Sequence, residues 1–520
     1  MRKIITKASD PKDSLFILVK SLSKSEKRQF KLYTGRLEGN TDSKYLQLFN
    51  ILEKLKTYDD TEILDQGIVK KQQLSNLKAH LYKQILISLR LSPAHQDIRL
   101  QIREQLDFAT VLYHKGLYKQ SLKLLEKAKQ TAIENEEKNV AYEIVELEKV
   151  IESQYITRSI GPRAEELTKE AEELSNSNMI ASQLSNLSLR LYGMMLKMGY
   201  VKSDDELQEV NAFFEKNLPS VNAEKLGFRE RLWLYKAYLW YSFLTQDFLT
   251  AYRYASRYVE LFQQQPKMIE RNPVFFLKGN HYLLESLFYL RHHTKFEEVL
   301  KELENQLKSP DFPQADNLKT LSFLYIYTNK LNHKFLIGDF NVDDGLVAEI
   351  NQRIKNLGNR LDQHHIMVFY YKIGCLYFGA GNNKMCIEYL GKIINNNSLK
   401  TNEDLMCFAR ILNLVAHYEA GMDYHLEALL KSTYKFLIKM DDLHEVQKEM
   451  IKFLRNLGEI FPSELKNEFK KLRKRLEMYQ DDPYERRAFL YLDILSWLDS
   501  RIQNRPVAEI IKEKADVLLR

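Results

Sequence analysis

A pattern of paired amphipathic helices recurs along the chain from about residue 98, and it limits the fold more than any other feature. The first pair has apolar and small residues at helical spacing on both sides of a short turn. Its residues are Phe108, Ala109 and Leu112, then the turn Gly116-Leu117-Tyr118, then Ser121, Leu125 and Ala128. Because helices approach closely where small side chains face each other, this pattern predicts a helical hairpin.

The same order of features returns further along the chain. In one unit Gly381 marks the turn between helices carrying Tyr370, Ile373-Gly374, Tyr377 and Cys386, Leu390, Ile393. In another, Gln246-Asp247-Phe248 lies between Tyr235, Tyr238, Leu239 and Ala251, Ala255. Similar turns are predicted near Ile160-Gly161, Gly199-Tyr200, Thr294-Lys295-Phe296, Gly338-Asp339-Phe340 and Gly421-Met422-Asp423. A recurring helix pair predicts a stack of hairpins.

The composition agrees with a helical stack. A chain of 520 residues is too long for one compact core. It contains only 18 Gly and 11 Pro, so it has little material for β-turns or long linkers. We therefore expect an all-α protein without large disordered segments.

The unit with Tyr370, Ile373-Gly374, Tyr377 and Gly381 resembles the tetratricopeptide repeat. That family has an aromatic residue, Leu-Gly and Tyr on the first helix, a Gly turn, and Ala on the second helix, where this chain has Cys386. The resemblance implies a right-handed α-solenoid of stacked helix-turn-helix repeats. The units here are about 40–48 residues long, whereas that repeat has about 34, so HEAT-type and other α-solenoid repeats remain open for the weaker units.

Three regions follow from this pattern: a small N-terminal helical domain over residues 1–93, a repeat array over residues 98–440, and C-terminal helices over residues 441–520. The C-terminal region contains helix pairs at 442–479 and 484–518, which would cap the stack. In the N-terminal domain, Ser23-Lys24-Ser25-Glu26 predicts a capping box at a helix start. Pro93 is expected to end that domain.

The charge of the chain is concentrated in its N-terminal region. Residues 1–100 contain 19 Lys and Arg against 11 Asp and Glu, which accounts for the excess of positive charge in the whole chain. Such a region would suit nucleic acid or an acidic protein surface. The alternative is an ordinary solvated face of a small helical domain. A second basic run, from Lys466 to Arg475, has the same two interpretations.

Cysteine usage and hydropathy bear on the compartment. Cys375, Cys386 and Cys407 are an odd number without paired spacing, which favours buried thiols in a reducing compartment. The N-terminal apolar run is too short for a signal peptide, and no window of 18 residues is apolar throughout. These observations predict a cytoplasmic protein without a membrane span.

No catalytic motif is complete. Gly374, Gly379 and Gly381 lack the Lys and Ser or Thr that a phosphate-binding loop requires after them. His444-Glu445 lacks the second His of a zinc-binding helix. The pairs His292-His293 and His364-His365 point in directions about 100° apart on a helix, which does not suit one metal ion. We expect a protein that is not an enzyme and has no cofactor or metal.

The resemblance implies that the first helix of each pair lines the concave surface of the solenoid. It places Arg103, Leu106 and Thr110, then Trp233, Lys236 and Trp240, then Val368, Tyr371 and Phe378 there. From these we select Arg103, Trp233, Lys236, Trp240, Tyr371 and Phe378 as candidate partner-binding residues, with packing between repeats as the alternative. The predicted function is a scaffold or adaptor that holds a peptide or protein segment. The alternative is a bacterial-type regulator whose residues 1–93 contact nucleic acid while the repeats act as a sensor.

Overall fold

The computed structural model describes residues 13–38, 44–92, 97–154, 162–396, 403–421, 423–437, 445–456, 463–485, 489 and 493–518. Every regular element in these ranges is a helix, so the all-α prediction is confirmed. Pro93, Ile160-Gly161, Met422 and His444 lie outside the described residues. The chain divides into two compact units, residues 1–167 and residues 168–520, and the predicted boundaries at residues 93, 98 and 440 stay predictions.

The first unit contains eight of the described helices. They are α1 (Ser14–Ser21), α2 (Lys24–Glu38), α3 (Lys44–Lys54), α4 (Asp60–Asp65), α5 (Lys71–Arg90), α6 (Ile98–His114), α7 (Tyr118–Glu134) and α8 (Lys138–Gln154). The predicted capping box is confirmed at the start of α2. The backbone N–H of Ser23 donates to Glu26 Oε2 over 2.6 Å, and the N–H of Glu26 donates to Ser23 Oγ over 3.2 Å. Both amides at this helix start are thereby satisfied.

The hairpin of α6 and α7 shows why its small residues are needed. Ala109, Ser121 and Ala128 are fully buried, and Ser121 Oγ donates to the carbonyl of Ala109 over 2.8 Å. Gly116 takes a φ of +73° at the turn, a conformation that glycine adopts without steric cost. The second helix then packs against α8, so α6, α7 and α8 lie in succession.

Helix α9 (Arg163–Met198) runs across residue 167, and the rest of the described helices belong to the second unit. They are α10 (Asp204–Asn217), α11 (Phe228–Leu244), α12 (Phe248–Gln264), α13 (Lys267–Arg271), α14 (Pro273–Tyr289), α15 (His293–Lys308), α16 (Asp316–Ile337), α17 (Leu346–Leu357), α18 (Gln363–Gly379), α19 (Asn383–Ile394), α20 (Glu403–Glu419), α21 (Asp423–Leu437), α22 (Glu445–Asn456), α23 (Leu465–Glu477), α24 (Ile494–Gln503) and α25 (Val507–Leu518).

Most turns of the second unit contain one residue with a positive φ. The glycines predicted at turns, Gly199, Gly338, Gly381 and Gly421, all have a positive φ. The turn predicted near Thr294-Lys295-Phe296 lies a few residues earlier, because those three residues are already inside α15. The chain turns instead at Arg291, which has a φ of +54°. A non-glycine residue in this conformation leaves no signal in the sequence.

Successive hairpins of the second unit pack in a regular order. Each first helix contacts its own second helix, and the second helix contacts the next first helix, as in the succession α11, α12, α14 and α18, α19, α20. In the hairpin of α18 and α19, an added Cβ on Gly374 would lie 3.2 Å from Leu390 Cδ2. The small residue therefore allows the short distance between these two helices. This packing is consistent with an α-solenoid.

The C-terminal pairs are also present, as α22 with α23 and α24 with α25. Trp497 on α24 is buried and donates from Nε1 to Glu419 Oε1 over 2.7 Å. Cys375, Cys386 and Cys407 are buried free thiols, as predicted. Within the ranges given above, no helix has both the length and the apolar character needed to cross a membrane.

Candidate partner-binding faces

Helix α11 carries three of the predicted residues on one stripe. Trp233, Lys236 and Trp240 follow one another at intervals of about one helical turn, and each is half-buried. Leu232, Leu239 and other apolar residues of α11 are fully covered by neighbouring helices. The helix is therefore anchored by its apolar side chains, and this stripe keeps part of its surface exposed.

The Lys236 ammonium lies over aromatic rings of two helices. Its Nζ is 4.7 Å from the centroid of Trp233 and 5.6 Å from that of Phe275 on α14. The two rings meet edge to face, 5.4 Å apart at 82°. A cation held over an aromatic face is attracted by the quadrupole of the ring, so this contact stabilises the ammonium in place.

A second ring contact fixes the register between α11 and α14. Trp240 packs against Tyr282 with centroids 5.7 Å apart, and the two residues are separated by the same number of positions as Trp233 and Phe275. Lys278 stands at that same separation from Lys236. The two lysines therefore occupy equivalent positions on neighbouring first helices. Trp233, Lys236, Trp240, Phe275 and Lys278 together form what we call the cation–aromatic face.

The two ammonium groups of this face have no acidic partner among the described residues. Among the described residues, neither Lys236 nor Lys278 forms a hydrogen bond or an ion pair. Burial, followed by the neighbouring charge of Lys278, lowers the pKa of Lys236 to about 8. The pKa of Lys278 is also lowered by burial. Both ammonium groups are therefore less favourable here than in water.

Three histidines lie near the face. Burial, followed by the charges of His365, Lys372 and Lys278, lowers the pKa of His281 to about 3. The pKa values of His364 and His365 are lowered as well, mainly by burial. At neutral pH these imidazoles are therefore neutral hydrogen-bonding groups. No group of three or more potential metal ligands occurs in the part of the chain that the structure describes.

The first unit has a different candidate surface, which contains the predicted residue Arg103. A cavity of about 440 Å³ opens between α6 and α8, and we call it the α6–α8 groove. It is lined by Arg90, Leu100, Arg103, Leu106, Asp107, Thr110, Glu143 and Leu147. The three residues predicted together in this unit, Arg103, Leu106 and Thr110, all line it. Arg90 pairs with Asp107 over 3.4 Å, so charges of both signs lie along the groove.

The structure places Tyr371 and Phe378 elsewhere than expected. They are only 4% and 3% exposed and belong to a buried cluster with Leu390 and Leu412. Helix α18 directs this side toward α19 and α20, which cover it. We expected both rings on an exposed surface; they are buried, as in the alternative of packing between repeats. Val368 on the same helix is half-buried.

Two other candidate sites from the sequence, the glycines of α18 and the basic run of α23, have structural roles. Gly374 and Gly379 lie inside α18, where an added Cβ on Gly379 would overlap the ring of Phe340. In the basic run, Lys471 and Arg475 pair with Glu468 and Glu449 over 2.6 and 3.2 Å. The same helix, α23, buries Phe469, Leu472 and Leu476 on its other side. These contacts favour the interpretation of the run as a solvated helix face.

The cations of the N-terminal region also have acidic neighbours. Lys27 and Lys31 lie 3.6 and 2.8 Å from Glu53. Lys78 forms an ion pair with Asp13. These pairs reduce the charge that the region presents to a partner.

Phe275 and Lys278 were missed by the sequence analysis, although a signal for them exists. An aromatic residue followed three positions later by Lys occurs at Trp233 and Lys236 and again at Phe275 and Lys278. Comparison with known proteins identifies no relative: no protein-family profile, no curated protein and no solved structure matches the chain.

Proposed function

We propose that this chain is a non-enzymatic scaffold or adaptor of the cytoplasm that holds an acidic segment of another protein on a right-handed, tetratricopeptide-like solenoid. The observation that carries the proposal is the cation–aromatic face. Lys236 and Lys278 are withdrawn from water beside Trp233 and Phe275, and no described acidic residue balances them.

An acidic partner would supply what this face lacks. A desolvated ammonium without a counter-ion is unfavourable, and a carboxylate that binds beside it removes that penalty. A charge-assisted hydrogen bond formed in this way contributes about 1.5–3 kcal/mol. The exposed parts of Trp233 and Trp240 would contact apolar side chains of the same segment, as aromatic anchors do at protein interfaces.

A protein segment fits this face better than nucleic acid does. The Lys236 ammonium covers a face of the Trp233 ring at 4.7 Å, so that face is not free to stack on a base. Two ammonium groups suit one or two carboxylates, whereas nucleic-acid-binding proteins commonly neutralise about 6–10 phosphates. The regulator alternative has less support, because Lys27 and Lys31 near the N-terminus already share Glu53.

Fluorescence anisotropy with the full-length chain tests the proposal. The probe is a fluorescein-labelled peptide in which Glu and Leu alternate, compared with a peptide in which Gln replaces Glu and with an oligothymidylate. We expect the Glu peptide to bind most tightly. Replacing both Lys236 and Lys278 by Met should weaken its binding by about a hundredfold or more, since two charge-assisted contacts are lost.

Lys267→Met is the matched control, because Lys267 is an exposed lysine of α13 outside the face. It should bind the Glu peptide like the unmodified chain. Equal binding of the Gln peptide, or unchanged binding by the double variant, would count against the proposal. Tighter binding of the oligothymidylate would favour the nucleic-acid alternative instead.

A further inference from the structure

A chain of buried polar side chains connects three first helices beside the cation–aromatic face. Lys372 on α18 donates from Nζ to Asn332 Oδ1 over 2.6 Å, and Asn332 Nδ2 lies 3.4 Å from Asn329 Oδ1 on α16. Asn329 Nδ2 in turn lies 3.2 Å from His281 Nδ1 on α14. Lys372, Asn329 and Asn332 are 3%, 0% and 4% exposed. Polar groups buried to this extent are placed by their hydrogen bonds.

The direction of each bond in this chain follows from the first. An ammonium group only donates, so the amide oxygen of Asn332 faces Lys372 and its Nδ2 faces Asn329. The oxygen of Asn329 therefore accepts, and its Nδ2 donates to His281 and also to the carbonyl of Tyr325 over 2.8 Å. His281 Nδ1 must accept and carries no proton. The proton of the neutral imidazole is thus on Nε2.

The other side of the His281 ring reaches the surface. The ring stacks on Tyr325 with centroids 4.5 Å apart at 16°, and 18% of its side chain is exposed. Nε2 lies 3.9 Å from Glu285 Oε2, which is beyond normal hydrogen-bond distance. Burial and the charges of His365, Lys372 and Lys278 keep the ring neutral at physiological pH. The imidazole therefore holds one orientation and one proton position over that range.

We propose that His281 is a specificity-determining residue, whose fixed Nε2–H donates to an acceptor oxygen of the segment bound on the cation–aromatic face. Lys372 is a positioning residue that acts on it through Asn332 and Asn329. The ligand part of this inference rests on the proposed function, whereas the proton position is a property of the chain alone. A donor of fixed direction selects a ligand by geometry, while the two lysines of the face select it by charge.

Long-range ¹H–¹⁵N spectra of the full-length chain, labelled at histidine, test the proton position without any ligand. His281→Gln identifies the His281 signals by their loss. We expect an unprotonated Nδ1 and a protonated Nε2 that do not change between pH 7 and pH 5, because the pKa of His281 is about 3. A proton on Nδ1, or titration within this pH range, overturns the proposal.

Two variants test the chain of hydrogen bonds. Asn329→Asp replaces the amide donor by a carboxylate that only accepts, so the proton should move to His281 Nδ1. Lys372→Met removes the ammonium that orients Asn332, and the His281 signals should show a mixture of both proton positions. His333, which stacks on Phe296 in a separate contact, is the internal reference and should not change. Unchanged His281 signals in folded Lys372→Met exclude Lys372 as the positioning residue, and unchanged signals in folded Asn329→Asp exclude the hydrogen bond from Asn329 as what places the proton.

The binding experiment uses the alternating Glu and Leu peptide. His281→Phe keeps an aromatic ring on Tyr325 but lacks the donor, and it should weaken binding about fivefold to tenfold, the value of one hydrogen bond. His281→Gln keeps an N–H and should recover part of that loss. Unchanged affinity in His281→Phe overturns the ligand contact. If the peptide does not bind the unmodified chain, both the proposed function and the ligand contact of His281 are contradicted. The spectra test the proton position independently of that result.

Discussion

Lys129 in the first unit and Lys236 in the second are both withdrawn from water, but the surroundings of their charges differ. Lys129 on α7 is 3% exposed, and its Nζ lies 2.9 Å from Glu148 Oε2, a carboxylate that is itself 1% exposed. Lys236 on α11 is half-buried and has aromatic rings as its close neighbours. The first cation is balanced within its own unit, and the second is not.

The difference separates a charge that is balanced inside its unit from one that is not. Glu148 also lies 3.5 Å from Arg163, so the acid and its cations form a closed set inside residues 1–167. Even so, burial raises the pKa of Glu148, which shows how strongly this interior disfavours charge. Lys236 faces a similar penalty without a carboxylate to offset it. A folded chain that retains such a group leaves a position that an incoming anion would complete.

The largest effect is expected from removing the balanced lysine. Lys129→Met leaves Glu148 buried with only the more distant Arg163, and breaking a buried pair in this way costs about 3 kcal/mol of unfolding free energy. Urea denaturation at pH 7, followed by circular dichroism, measures this change. The Lys129→Met and Glu148→Gln double variant should recover much of the loss, because no uncompensated charge remains. Equal stability of Lys129→Met and the unmodified chain would remove the contrast between the two lysines.

Replacement of Lys236 should change the free energy of unfolding in the opposite direction. Lys236→Met removes a desolvated charge and keeps the apolar stem, so it should stabilise the chain at pH 7 by about 2 kcal/mol, after allowance for partial exposure. Urea denaturation measures it again. Arg103→Met is the control, an exposed cation of the α6–α8 groove, and should change stability by less than about 0.5 kcal/mol.

The pH dependence of that difference follows from the lowered pKa. Lys236 releases its proton near pH 8 in the folded chain, whereas an unfolded lysine keeps it to about pH 10.5. Between these values the unfolded chain binds more protons, so the stability of the unmodified chain rises with pH. The advantage of Lys236→Met should therefore be constant below pH 8 and disappear by about pH 10.5. A constant difference throughout would show that burial does not disfavour the Lys236 charge.

Much of the fold could be predicted from local pattern. The hairpins of α6 with α7 and α18 with α19 are visible because small residues, apolar spacing and turn glycines all agree within one unit. The stripe of Trp233, Lys236 and Trp240 was found from helical spacing alone, because the turn of that unit, at Gln246, has no glycine. These features depend on contacts between residues close in sequence.

The parts that were missed depend on how helices are turned about their axes. Helix α18 has apolar residues on nearly all sides, so its sequence does not indicate which side is covered, and Tyr371 and Phe378 were placed wrongly. The equivalent positions of Lys236 and Lys278 depend on the register between α11 and α14, which ring contacts between the two helices decide. The path from Lys372 to His281 crosses three helices, and its Asn and Lys residues resemble surface positions in the sequence.

The smallest effect is expected where charge is balanced and solvated. Arg90 and Asp107 in the α6–α8 groove have side chains 54% and 69% exposed, so water screens their attraction. Arg90→Met should change the unfolding free energy by less than about 0.5 kcal/mol. It should also leave the affinity for the acidic peptide unchanged, because Arg90 lies outside the cation–aromatic face. Clear weakening of peptide binding by Arg90→Met or Arg103→Met would indicate that the acidic peptide binds to residues 1–167. The lack of a described acidic partner for Lys236 and Lys278 would then need another explanation.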